Sequence, residues 1–322
     1  MQLLAFFIPQ NTMIKKTLCF SNPAYLCLRN GQMLIRLPEN EKDTPEGPAP
    51  QKEPDRSIAV EDIGVVVIDH KQVTITSGIL EALLENNAAV ITCDSRSLPV
   101  GLMLPLCGNT VQSERFREQI NASLPLKKQL WQQTIRMKIH NQRKTLEYVY
   151  GKPFKNIERW ENDVKSGDPD NYEARTAVFY WKNIFFGQPD FIRDREGPAP
   201  NNLLNYGYAI LRAVIARALV SSGLLPTLGI HHHNRYNAYC LADDIMEPYR
   251  PYVDRVVLDI MEKFDDCSEI TRYMKQQLLS IPVLDVNIKG QKRPLMIAAS
   301  QTTASLYKCF SGEQRKIDYP EM

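Results

Sequence analysis

The sequence predicts an α+β protein: a small N-terminal β domain, sandwich-like with one short helix, followed by a larger all-α domain. Three observations lead there. Apolar residues in the first hundred positions fall in short β-branched runs, and beyond Asn109 they recur at helical spacing. The chain has 322 residues, and single cores stop growing at about 250 to 300. The expected boundaries are 1–12 for an N-terminal extension of unassigned role, 13–109 for the β domain and 110–322 for the helical one, with Met13 as an alternative start.

Each element has its own signal. Tyr25 to Arg29 and Gln32 to Leu37 flank Asn30-Gly31, a pair suited to the two positive-φ positions of a type I′ turn, so a hairpin is expected there. Ile58 to Val60, Val65 to Ile68, Val73 to Ile75 and Ala88 to Cys93 are further strand runs, interrupted by one helix at Ser77 to Glu85. The segment 38–57 carries five prolines and nine charged residues in twenty positions. It has too little apolar surface to offset its ordering entropy and reads as a mobile insertion. Leu98 to Asn109 closes the β domain with Pro99, Pro105 and Gly108. Beyond it, Leu130, Trp131, Ile135, Ile139 and Leu146, and then Leu211, Val214, Ile215, Ala218 and Leu219, mark the stripes of core-facing helices.

Composition narrows the function. With 43% hydrophobic and 24% charged residues the chain is neither disordered nor membranous, and the apolar stretch Leu3 to Ile8 is too short to span a bilayer and lacks a basic region ahead of it. Seven cysteines, scattered and never arranged as CxxC, point to a reducing compartment, so a cytoplasmic location is expected. The net charge of +2 says little, but Val111 to Lys144 holds eight basic residues against two acidic ones. Such a stretch can neutralise phosphates and release counterions; a solvated helix face is the competing reading.

Three of the five histidines are consecutive, His231, His232 and His233, and Asp243, Asp244 and Glu247 follow. On a helix either aspartate shares a face with Glu247, and carboxylates that close repel unless a cation lies between them. Imidazole with carboxylate suits a divalent metal of intermediate hardness among Mg, Mn and Zn, and no closed set of four Cys or His ligands suggests a structural zinc. The apolar run Leu224 to Ile230 should bury one edge of the histidine run and turn at least one imidazole inward. For a third ligand Glu173 is the candidate, against a capping box formed by Asp170 and Glu173; spacing leaves both open.

Three motifs together resemble the CRISPR-associated integrase family, the enzymes of spacer acquisition often called Cas-one. They are Glu173-Ala174-Arg175-Thr176-Ala177-Val178-Phe179-Tyr180-Trp181, Gly229-Ile230-His231-His232, and Leu241-Ala242-Asp243-Asp244-Ile245-Met246-Glu247-Pro248-Tyr249-Arg250-Pro251. The family histidine stands three residues after the glycine, which selects His232. Asn202 to Tyr208 and Ile58 to Asp69 also resemble family segments, whereas 1–12 and 38–57 have no counterpart in it. The histidine-rich second motif and the Glu-Pro-Tyr-Arg-Pro ending look most like the type II members.

The resemblance implies a β domain followed by a helical domain, and a metal site of Glu173, His232 and Glu247 holding Mg2+ or Mn2+. Asp244 would be a fourth catalytic residue, holding a metal-bound water. It also implies endonuclease and integrase chemistry: the 3′-hydroxyl of a prespacer duplex attacks a phosphodiester at the CRISPR repeat. Ligand removal should abolish integration and leave the fold, with the carboxylates in a cleft outside the core. Arg193, Arg250, Arg136 and Lys138 would hold double-stranded DNA by its phosphates. The implied partners are a second copy of the chain, a Cas-two protein and the type II effector nuclease, with no membrane. Two other classes stay open, a structure-selective metal-dependent DNA nuclease and a noncatalytic DNA-binding scaffold.

Overall fold

In the computed structural model, which describes residues 15–38, 56–185, 188 and 190–322, Asn30 and Gly31 both take positive φ, 50° and 72°. That is the backbone a two-residue hairpin turn requires. Strands β2 (Ala24–Arg29) and β3 (Gln32–Arg36) pair antiparallel across it, with Cys27 opposite Leu34. β4 (Arg56–Ala59) extends this sheet beside β3, and β6 (Val73–Ile75) joins β2 in parallel. The extension 1–12 and nearly all of the expected insertion 38–57 lie outside the described residues.

A second sheet has the order β1 (Lys16–Phe20), β5 (Ile63–Ile68), β7 (Ala89–Cys93), β8 (Pro99–Met103), its first three strands parallel. β5 lies between two neighbours and is buried at its first five positions, which explains its unbroken apolar run: a strand covered on both faces has no reason to alternate. Helix α1 (Ser77–Glu85) precedes β7. Its Ile79 and Leu83 share one apolar core with Leu18, Val66 and Val90 of one sheet and Leu26, Met33 and Ile35 of the other. Two sheets closing on a common core make this the β-rich, sandwich-like part of an α+β fold.

The chain divides into two compact units between Leu106 and Cys107. The second contains α2 (Gln112–Asn121), α3 (Leu124–Tyr150), α4 (Lys155–Asp163), α5 (Tyr172–Ile184), α6 (Asn201–Ser221), α7 (Cys240–Met246), α8 (Arg250–Met261), α9 (Arg272–Leu279) and α10 (Leu295–Phe310). A hairpin of β9 (Asp285–Ile288) and β10 (Gln291–Pro294), turning at Lys289 and Gly290 with φ of 54° and 71°, is the part an all-α expectation leaves out.

α3 has clear punctuation. Ser123 Oγ accepts from Leu126 N at its start, Pro125 stands in the first turn, and Gly151 ends it at φ 62°. Every residue of its expected stripe, Leu130, Trp131, Ile135, Ile139 and Leu146, is buried. α6 is long and apolar enough to cross a membrane, but 78% of that window is buried, as in the core helix of a folded protein. Gly207 lets α8 approach it: a Cβ there would lie 2.5 Å from Val253 Cγ1. Asn141 on α3 donates to the carbonyls of Pro248 (2.7 Å) and Pro320 (3.1 Å) and accepts from Met322 N (3.1 Å). One buried amide thus fixes the turn after α7 and the C-terminal segment to the helix that floors the site.

Candidate metal centre

Glu173 stands in the first turn of α5, and the capping of that turn decides what its side chain is free to do. Asp168 Oδ1 accepts from Tyr172 N and Oδ2 from Glu173 N, both at 2.9 Å. The capping box of Asp170 and Glu173 therefore does not form: Asp170 pairs with Lys165 at 3.2 Å, and Asp168 serves the helix amides instead. The Glu173 carboxylate reaches α3, where Lys138 Nζ donates to Oε1 at 2.7 Å.

The same ammonium lies 2.6 Å from Oε2 of Glu247, in the 3-10 turn that follows α7. That oxygen is buried with the ammonium as its partner, whereas Oε1 accepts from Arg250 Nε at 3.0 Å. Burial alone would raise the Glu247 pKa, but Arg250 and Lys138 outweigh it and bring the carboxyl down to about 2. Burial likewise works against the charge on Lys138, and Glu247 and Glu173 more than offset it, holding its pKa above the ordinary lysine value. Glu247 is 6% exposed. The expectation of carboxylates in an open cleft thus fits Glu173, whose side chain is 25% exposed, better than Glu247.

The histidine run is shaped by Asp244. This carboxylate is wholly buried and accepts from three consecutive amides, Ile230 N (2.7 Å), His231 N (2.9 Å) and His232 N (3.3 Å), as well as pairing with His232 Nδ1. Gly229 makes room for it: a Cβ there would lie 2.8 Å from Asp244 Oδ2 and would also collide with the His232 carbonyl. Both Asp244 oxygens are engaged with the loop, an arrangement suited to orienting His232; the resemblance implied a hold on a metal-bound water. With Nδ1 on Asp244, Nε2 is the ring nitrogen left for a ligand. The Asp244 hydrogen bond raises the His232 pKa against the opposing effect of burial, and the nearby charges of Glu247 and Glu173 raise it further. His231 stacks on Trp131 of α3, ring centroids 4.0 Å apart and planes 1° from parallel.

The structure separates the four basic residues assigned to DNA. Arg136 is exposed on α3. Lys138 is buried between the two carboxylates, not on the surface, and Arg250 is paired with Glu247. Arg193 donates to Asn201 (2.9 Å) and Asn205 (2.7 Å), and its guanidinium lies 5.5 Å from the centre of the Tyr208 ring. Arg250 lies 4.6 Å from the same ring. The hydroxyls of Tyr208 and Tyr180 both donate to Asp254, whose carboxyl burial pushes up to about 7.

Three contributions escaped the sequence reading. Asp168 lay outside the motifs. The roles of Asp254 and its tyrosines depend on helices distant in sequence. Lys138 did leave a trace, since it stands beside Ile139 and three residues after Ile135, at the spacing of the buried stripe.

Among the described residues no three His, Cys, Asp or Glu side chains converge on one point as they stand. The donors nevertheless suit a hard divalent cation: two carboxylates and an imidazole, with an ammonium already standing between the carboxylates.

Comparison with known proteins places the chain. Residues 19–266 match the family model described as CRISPR associated protein Cas1. A CRISPR-associated endonuclease Cas1 from Neisseria meningitidis serogroup C (strain 8013) is 34% identical over 309 residues, covering 95% of this chain and 96% of that protein. One from Pyrobaculum aerophilum is 28% identical over 249 residues, covering 73% of this chain and 83% of that protein. Among solved structures, a casposase bound to integration product has a TM-score of 0.74 at 18% identity, over 94% of this chain and 92% of that one. A CAS1 protein from Thermotoga maritima has a TM-score of 0.68 at 15% identity, over 93% and 98%. A motif-bearing helical unit preceded by a two-sheet β unit, matched along most of its length by these relatives, makes this chain a member of the CRISPR associated protein Cas1 family.

Proposed function

We propose that this protein is a metal-dependent DNA integrase that inserts spacer DNA into a CRISPR array by transesterification. The observation that carries the reading is the arrangement in which Glu173 and Glu247, from separate elements, both turn onto the Lys138 ammonium, with their charges also acting on the His232 imidazole. The relatives support it: those named above are called endonucleases, and the shared fold occurs in a casposase bound to integration product and in a Cas6-RT-Cas1–Cas2 complex.

Glu173, His232 and Glu247 would hold Mg2+ or Mn2+, which supplies Lewis acidity toward the attacked phosphate and its leaving oxygen. The chain's own residues prepare this. Glu247 stays ionised at any neutral pH because Arg250 and Lys138 hold its pKa low. Asp244 fixes the imidazole by its Nδ1 and keeps Nε2 available, and Arg250, backed by Tyr208, keeps the Glu247 carboxylate from rotating away. Exposed Arg136, with Arg117 and Lys128, would meet DNA phosphates without reading bases. The substrates are a prespacer duplex and the CRISPR repeat, acted on in the cytoplasm. The working assembly pairs two copies of this chain with a Cas-two protein and, in a type II system, the effector nuclease.

The test is a strand-joining assay with a labelled duplex and a plasmid carrying a repeat, with and without Mn2+. Joined product that disappears in Glu173→Ala and His232→Ala is expected. Cut ends without joined product would make the protein a nuclease only. Absence of Mn2+ binding in calorimetry would leave a noncatalytic scaffold.

A further inference from the structure

Among the described residues Lys138 is the one buried cation between the two carboxylates, and no motif of the sequence assigned it that place. Its ammonium is 2.7 Å from Glu173 Oε1 and 2.6 Å from Glu247 Oε2, and its side chain is 10% exposed. In this arrangement the two carboxylates are balanced by Lys138 and Arg250. A buried carboxylate such as Glu247 needs a counter-charge, and removing one partner of a buried pair is costly.

We infer that Lys138 is an internal counter-ion that keeps the Glu173–Glu247 pair closed in the metal-free protein and must leave it for a divalent cation to load. The inference rests on the proposed metal site. The ammonium occupies the space between the oxygens that a shared ion would use, which also accounts for the absence of a three-ligand cluster among the described residues. A dication added with Lys138 in place would give a buried site three positive centres against two carboxylates, and repulsion at such distances is strong where water is excluded. The lysine side chain has four rotatable methylenes and can swing out through the Glu173 side, the more open of the two. Metal affinity is then set by the competition between a tethered monovalent cation and a free divalent one.

The experiment uses the full chain. Wild-type protein is acetylated briefly with an amine-reactive ester, with and without Mn2+, and modification at Lys138 is read by peptide mass spectrometry against exposed Lys128 as the internal reference. Lys138 should be protected without metal and become at least fivefold more reactive with it, while Lys128 does not change. In calorimetry without DNA, Lys138→Met should bind Mn2+ at least tenfold more tightly than wild type. Should that variant fail to fold without metal, the labelling of wild type decides alone. If wild type binds Mn2+ but Lys138 stays protected and Lys138→Met binds no more tightly, the counter-ion inference is overturned and the metal site stands. If wild type binds no Mn2+ at all, the metal site itself falls.

Discussion

The two units bury different chemistry. The core of the β unit is apolar throughout, built from Leu18, Leu26, Met33, Ile35, Val66 and Val90 around Ile79 and Leu83 of α1. Among the described residues, every polar or charged residue that is buried belongs to the helical unit, among them Lys138, Asn141, Asp244, Glu247 and Asp254. Burying such groups without partners costs several kcal/mol, so each must be held by ion pairs or hydrogen bonds. The helical unit thus gives up interior that could have been apolar in order to hold charges in place. This is the pattern of a working site, and the β unit shows none of it.

Removing a buried group in each unit separates the two roles most sharply. Met33→Ala should cost about 2 to 5 kcal/mol through the cavity it leaves and leave Mn2+ affinity of the folded protein unchanged. Glu247→Ala should cost about 3 kcal/mol, because Arg250 loses its buried partner, and should also lower strand joining about 10²- to 10³-fold, on the order of removing a group that acts directly on the transition state. Urea unfolding and calorimetry on the two variants make the check. Equal losses of Mn2+ affinity in both would erase the distinction. Glu173→Ala should lose joining with a smaller change in melting temperature, since its side chain is partly in solvent.

Gly229→Ala probes how tightly the loop is built. The added Cβ would press on Asp244 Oδ2 at 2.8 Å, disturbing the carboxylate that orients His232. Loss of such outer support weakens metal binding about 10- to 100-fold, so Mn2+ titration should show a shift in that range. An unchanged affinity would mean that Asp244 does not govern the imidazole.

α3 offers a comparison within one helix, since exposed Arg136 and buried Lys138 are two residues apart. If Arg136 meets a phosphate, Arg136→Gln should reduce the slope of log affinity against log salt by about 0.9 and leave Mn2+ binding unaltered. A slope that does not move would take Arg136 out of the DNA surface.

Much of this was legible in the sequence, and what was not has a physical reason. Asn30-Gly31 announced its hairpin because a positive-φ pair has few other uses, and the stripe from Leu130 to Leu146 announced α3 because apolar burial repeats with the helix. The parallel pairing of β1, β5 and β7 stayed hidden, since an apolar run shows that a strand is covered but not which strands flank it. The spacing at Glu173 leaves both a cap and a ligand open; the cap is removed by Asp168, which lies across a turn and takes the helix amides itself. Lys138 was counted with the basic surface because sequence counts charges and does not see which way they face.

Asp254 gives the finest test. Its carboxyl is pushed up to about 7 by burial, against the lowering effects of Tyr208, Tyr180, Arg250 and Arg193, from the ordinary aspartate value of 3.8. Between those two values the folded protein holds a proton that the unfolded chain has released. The unfolded state binds fewer protons there, so stability falls as pH rises from about 4 to about 7 and levels off above. Asp254→Asn keeps a neutral side chain at every pH and lacks this slope. It also offers one acceptor oxygen where the two tyrosine hydroxyls now find two, but that penalty is a constant offset. The quantity to follow is therefore the stability difference between wild type and variant, measured by urea unfolding from pH 5 to pH 7.5. It should drift in favour of the variant by about 2 kcal/mol. A difference that stays level would mean that Asp254 remains ionised throughout, held by Arg250 and Arg193 more firmly than burial opposes it.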